Sequence, residues 1–574
     1  DDARFKISQD TAGAVTFRMD SGTLNACNPA GTAYALREIL MSNGSQPFRF
    51  ELVNGAKAVF PKLYAGYTKP GSMLFDNAEL TVHGALQFGR DNYYYSESAL
   101  VLAATNTTFV CGGAVGFYHT ATNVFKDCTI DIAGEMVNSW NSSVTFENCT
   151  LTATNTLIIS AAGNNGEPAE MTFDGGTYSF GYPQIGFQSN SDGKMTVKGG
   201  AVVDYVKSGS SQGQHIGWRG TGVIDVVSGT FRTPRSTYCQ LYVGKYADTY
   251  GTGWGRLNVH DSGKVEIRMG TNSWAAGATD GLAVGGGGHG EVHVYGGEII
   301  APRINVGFET TALTTTSFIH QVGGRVSVNT LNDAKYSRVA LMAYSGAAGG
   351  HWNDRDIMNR AAYVLDGGVF EAARILGGKG SQSQGGSGHS RFSANGGTFR
   401  QNMNPSTYAS MEGLDVAEFG SRGLVFDSNG HDVKIAQNLI NKPGESGLFV
   451  KTGRGTLTYA GECSVSNLVV SNGTWQLDAG ATVSSALRVV TGGTFSLVGD
   501  PTSATLASLA VTNATIALDP GDTITVQGNA SFKGLRLVFS SAPAMYTAQT
   551  VFVVQGTLDD TSVSELQRAF CDVA

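Results

Sequence analysis

Phe125-Lys-Asp-Cys-Thr-Ile130 and Phe146-Glu-Asn-Cys-Thr-Leu151 are two copies of one six-residue pattern, 21 residues apart. Each runs apolar, polar, turn-former, small, polar, apolar. Related stretches begin at Met19, Phe75, Phe173, Val197, Val226, Val294, Gln321, Leu365, Ala394, Val470, Val490 and Val511. Where no insertion intervenes, copies fall roughly 20 to 35 residues apart, the period of a solenoid. Alternating apolar positions build short strands with one face inward. The Asn, Asp or Gly between them supplies a bend with positive φ. One such coil cannot bury its apolar face alone, so coils stack and share a core. The pattern predicts an all-β fold, a right-handed parallel β-helix.

Composition agrees. Of 574 residues 77 are Gly, only 13 are Pro, and 15% are charged. Collagen needs a strict three-residue Gly period and abundant Pro, and a disordered chain would be charge-rich and apolar-poor. Gly- and Thr-rich sequence is poor helix material. The net charge of -8 offers no basic surface for nucleic acid, and no apolar run is long enough for a membrane span. Neither a CxxC pair nor a calcium-loop pattern is present, so no metal or other cofactor is expected.

Three sections follow from the pattern. Residues 1–65 hold an expected N-terminal cap, with a helix over Thr32–Met41 ended by Ser42-Asn43-Gly44, and the first coils. Residues 66–417 carry coils with long loops. These leave after an apolar-x-x-Gly strand, as from Tyr242, Ile304 and Ile375, with a longer one from Leu341, and so are expected on one side of the helix. Residues 418–574 form a C-terminal solenoid section. Cys128 and Cys149 occupy equivalent places in adjacent coils. Strand spacing of about 4.8 Å brings them within disulfide reach, or leaves them as an inward ladder of reduced thiols.

The C-terminal section contains Lys451-Thr452-Gly453-Arg454-Gly455-Thr456-Leu457-Thr458 and then Asn472-Gly473-Thr474-Trp475-Gln476-Leu477. These stretches resemble the autotransporter-associated β-strand repeat of bacterial secreted passengers. The resemblance is strict over about 60 residues. It implies a β-helical bacterial protein, secreted or at the cell surface, and no particular activity.

Candidate chemistry is sparse. Gly209-Ser210-Ser211-Gln212-Gly213 fits GxSxG as a string but lacks the strand–turn–helix setting of a nucleophile elbow. The richest stretch is His351-Trp352-Asn353-Asp354-Arg355-Asp356, in the longest insertion. If the chain were an enzyme, His351, Asp354, Arg355 and Asp356 would supply acid, base and cation for polysaccharide cleavage. Trp352 with Trp218, Tyr246, Asp248, Tyr250 and Trp254 would offer stacking faces and a hydrogen-bonding group to a sugar. Folding loops back onto the coils is the competing role for all of them. Together these features lead to the expectation of a structural or adhesive rod, glycan-binding or self-assembling into fibres. A polysaccharide lyase or glycoside hydrolase working on the loop-lined face is the alternative.

Overall fold

The computed structural model describes residues 4–7, 15–27, 38–41, 47–66, 71–89, 100–119, 122–160, 168–206, 214–233, 240–245, 247–248, 251–268, 281–285, 288–307, 316–328, 338–341, 360–377, 389–405, 407–499, 503–542, 548–568 and 571–573. The chain forms two compact units, Asp1–Ile300 with Thr310–Thr315 and Ala301–Glu309 with Thr316–Ala574. Each is a parallel β-helix whose coils consist of three short strands, one on each of three faces.

The Cys-bearing coils of the first unit show the build. Thr122–Lys126 lies on the first face, Thr129–Ile132 on the second and Met136–Ser139 on the third. Ser143–Glu147, Thr150–Ala153 and Leu157–Ile159 repeat them one coil on. The register sets Phe125 beside Phe146 beside Phe173, and Ile130 beside Leu151 beside Tyr178. The three phenylalanines are buried and stack, with ring centroids 5.0 and 5.7 Å apart. Phe146→Ala is expected to lower stability by about 3–5 kcal/mol. Thr145→Ala, on the outward side of the same strand, is expected to change it by under about 1 kcal/mol. Denaturant midpoints of the two variants check the contrast.

The first corner explains the six-residue pattern. Asn77, Asn106, Asp127 and Asn148 all have φ near +50°. In that conformation each backbone N–H reaches the next coil, as Asp127 N–H does to Glu147 O at 2.8 Å and Asn148 N–H to Asp174 O at 2.8 Å. The residue after it turns into the coil. Ala78, Thr107, Cys128, Cys149, Gly176 and Ala201 share this place, and only small side chains occur there. At Gly176 a Cβ would stand 2.2 Å from Cys149 O.

Two expectations are corrected. Glu38–Met41, the end of the expected N-terminal helix, is a strand paired in parallel with Arg4–Ile7 and Leu63–Ala65. Backbone pairing on both edges outweighs the helical propensity of so short a segment. The preceding positions 32–37 lie outside the described residues. The helix among the described residues is at the other end, Asp560–Arg568. Asp559 caps it by accepting the Ser562 N–H at 2.6 Å. The helix then covers the last coil, where Ser562 Oγ accepts the Phe532 N–H at 2.8 Å and Glu565 accepts the Gly534 N–H at 3.1 Å.

The insertions also differ from expectation, because they leave from two corners. Segments 308–315, 342–359 and 378–388 follow third-face strands Ile304–Val306, Arg338–Leu341 and Arg374–Gly377, as the apolar-x-x-Gly signal predicts. Segments 207–213, 234–239, 269–280 and 329–337 instead follow second-face strands Val202–Tyr205, Thr230–Arg232, Lys264–Glu266 and Arg325–Val328. Strand pairing constrains only the faces, so either corner tolerates added length.

Candidate functional site

On the third face of the first unit, Gln184, His215 and Tyr242 stand side by side in consecutive coils and point outward, yet all three are buried. Trp218, just past the corner, meets His215 edge-on at 3.9 Å and Phe187 at 5.8 Å. His215 stacks on Tyr242 at 5.2 Å. Lys245 places Nζ 3.9 Å from the Tyr242 ring centre and 5.4 Å from that of Trp218, and is only 5% exposed. A ligand would meet the Trp218 and Tyr242 rings already engaged by this cation.

The first face of the same unit carries a second strip. Trp254–Val259 and His289–Val294 pair in register, so Trp254 adjoins His289, Arg256 adjoins Glu291 and Asn258 adjoins His293. The Arg256 guanidinium lies 4.5 Å over the Trp254 ring and donates to Glu291 at 2.7 and 2.9 Å. His293 Nε2 is 3.3 Å from the same carboxylate. Asn258 donates to Asp225 at 2.7 Å, and Lys194 pairs with Asp225 at 3.5 Å. At the end of the strip Tyr295, 49% exposed, stacks with His260 at 4.9 Å and lies 5.8 Å from His293. Aromatic, imidazole, amide, guanidinium and carboxylate groups thus share one open sheet face. The sequence signal for it is alternation: in His289-Gly-Glu-Val-His-Val-Tyr295 every second residue faces out.

Of the residues proposed from sequence, Trp218 and Trp254 reach the same corner, where Trp254 N–H donates to Gly220 O at 3.0 Å. Their side chains enter different clusters. Asp248 lies on Ala247–Asp248, a hairpin arm paired antiparallel with Gly251–Thr252. Tyr246, Tyr250, His351, Trp352, Asp354, Arg355 and Asp356 lie outside the described residues. Cys128 and Cys149 are in adjacent coils as expected, but as free thiols. Among the described residues no group of three or more His, Cys, Asp or Glu is placed to hold a metal, and no helix is long and apolar enough to cross a membrane.

Many charges elsewhere join coils to one another. Glu371, in the second unit, takes Arg325 at 2.5 Å and Arg400 at 3.5 Å, and Arg400 continues to Asp427 at 3.1 Å. In the first unit Asp204 holds Arg232 at 2.5 Å and Arg268 at 3.2 Å.

The Lys451 motif is likewise architectural. Lys451 is fully buried and donates to Thr452 O, Gly453 O and Asn472 O at 2.9, 2.8 and 3.0 Å. Three ammonium protons meet three carbonyls, two from its own turn and one from the next coil. Gly473 leaves room for this knot, since a Cβ there would lie 2.9 Å from Nζ. Trp475 follows into the core between Phe449 and Tyr459.

The chain matches no family model, no curated protein and no solved structure. The parallel β-solenoid therefore defines it as a class, on the strength of its own coils.

Proposed function

We propose that this chain is a structural and adhesive β-solenoid, secreted or displayed at a bacterial surface, that contacts a glycan through the strip from Trp254 to Tyr295. The observation that carries this reading is the strip itself. It sets a partly exposed Tyr, a Trp and hydrogen-bonding side chains of both polarities on one flat face of two adjacent coils. Such groups suit hydroxyl-rich partners, which stack apolar ring faces on aromatics and exchange donors and acceptors with side chains. The cross-coil ion pairs support a scaffolding role, and the likeness of the Lys451 motif to passenger repeats supports export.

Binding to an immobilised panel of neutral and acidic polysaccharides tests the reading. Trp254→Ala and Tyr295→Ala are each expected to weaken binding about tenfold, the equivalent of about 1.4 kcal/mol. Absence of binding to any glycan would overturn it. Release of reducing ends or unsaturated products from the same panel would replace it with a lyase or hydrolase, and would direct attention to His351–Asp356.

A further inference from the structure

Cys128 and Cys149 are thiols in adjacent coils of the first unit, at the same inward turn position. The Cys128 N–H donates to the Cys149 sulfur at 3.4 Å, so that sulfur lies directly against its neighbour's backbone. Their exposures are 2% and 0%. Each thiol also donates to a backbone carbonyl, Cys128 to Lys126 O of its own corner at 3.2 Å and Cys149 to Phe125 O one coil before at 3.3 Å. Paired strands about 4.8 Å apart put two such Cα atoms inside the 4.4–6.8 Å range that a disulfide spans.

The other described thiols lack this relation. Cys111 ends its second-face strand in register with Ile132 and contacts Gly84 O at 3.3 Å. Cys463 sits 3.6 Å from Ser485 Oγ. Cys27 is half-buried near the N-terminal edge.

We propose that Cys128 and Cys149 are an oxidation site, closing to a disulfide that staples two consecutive coils when the chain folds in the presence of a low-molecular-weight disulfide. The Cys128 sulfur attacks one sulfur of the small disulfide, forming a mixed disulfide and releasing one small thiolate. The Cys149 sulfur then attacks the Cys128 sulfur and expels the second. The two protein thiols give up two protons and two electrons, and one small disulfide becomes two small thiols. In the folded coil the neighbouring Cys149 thiol holds the Cys128 thiol below its ordinary value. Burial of both sulfurs means that the reaction belongs to folding or to transient opening of the coil, and that the finished bond is shielded from reductant. The closed loop of 21 residues removes freedom from the unfolded chain and so raises stability.

The test is refolding of the full chain in oxidised and reduced glutathione against refolding in reductant alone. Free thiols are then alkylated in denaturant and peptides mapped. The expected result is a linked Cys128–Cys149 peptide, two fewer alkylated thiols, and a higher denaturant midpoint for the oxidised form. Cys149→Ala is expected to fold, because Ala78 and Ala201 hold the equivalent position, and to lose both the linked peptide and the shift. Full alkylation of both residues after oxidative refolding, or linkage of either to Cys111, would overturn the proposal.

Discussion

Gly244→Ala is expected to destabilise the first unit by about 2–5 kcal/mol, the sum of a left-handed φ for a residue with Cβ and a backbone clash. Gly244 ends the third-face strand Gln240–Val243 with φ +76°. A Cβ built there would stand 1.8 Å from His289 O and 2.4 Å from its carbonyl carbon. That carbonyl belongs to the first-face strand His289–Val294, which is held in register with Trp254–Val259, the first-face strand that follows Gly244 in the chain, and cannot retreat without breaking the ladder. Gly217 and Gly186 repeat the arrangement one and two coils earlier, with the carbonyls of Trp254 and Thr221 respectively 2.2 Å from where a Cβ would stand. Gly430→Ala supplies the control. Its φ is +84°, but nothing lies within 4 Å of the added carbon, so the cost is expected near 1 kcal/mol. Denaturant midpoints, with hydrogen exchange to locate the opened coils, separate the two; equal effects would show that corner packing is not what requires Gly244.

Lys451→Met is expected to cost about 2–4 kcal/mol, because it keeps the chain volume and removes all three bonds to buried carbonyls. The loss should depend on pH. Burial pulls the Lys451 ammonium down to about 8, while Asp427 and Asp432 hold it up. The unfolded lysine titrates near 10.4. Between these values the unfolded state binds more protons than the folded one, so the wild-type chain gains stability as pH rises from about 8 to about 10.4. Below that window both states are charged and the penalty of burying the ammonium is present in full. The difference in midpoint between wild type and Lys451→Met, followed from pH 7 to 11, should therefore widen in favour of wild type across the window. A flat difference would show that Lys451 titrates alike in both states.

Much of the coil could be read locally. The alternation around Phe125 and Phe146 names the inward residues, and the Asp127 and Asn148 positions mark the bends, since positive φ is a property of single residues. The Lys451 motif could be recognised but not explained, because one of its three acceptors belongs to Asn472 in the next coil. The helix expected at 32–41 was misplaced at its described end for a similar reason: the pairing of Glu38–Met41 with Arg4–Ile7 and Leu63–Ala65 is invisible in its own residues.

The first-face strip sharpens the distinction. Its residues alternate along two separate stretches, and that alternation alone assigns Trp254, Arg256, Glu291 and His293 to the outside. Their meeting depends on the pairing of two strands separated in the chain by segment 269–280, a pairing that sets Arg256 opposite Glu291 at a separation of 35 residues. The same holds for His320 and Asp366, joined at 2.8 Å across 46 residues. Coil shape is local, a matter of side-chain size, φ and alternation, and so the linear chain carries it. Partnership between coils is a matter of register, and insertions of variable length separate the partners, so only the assembled stack decides which outward groups touch.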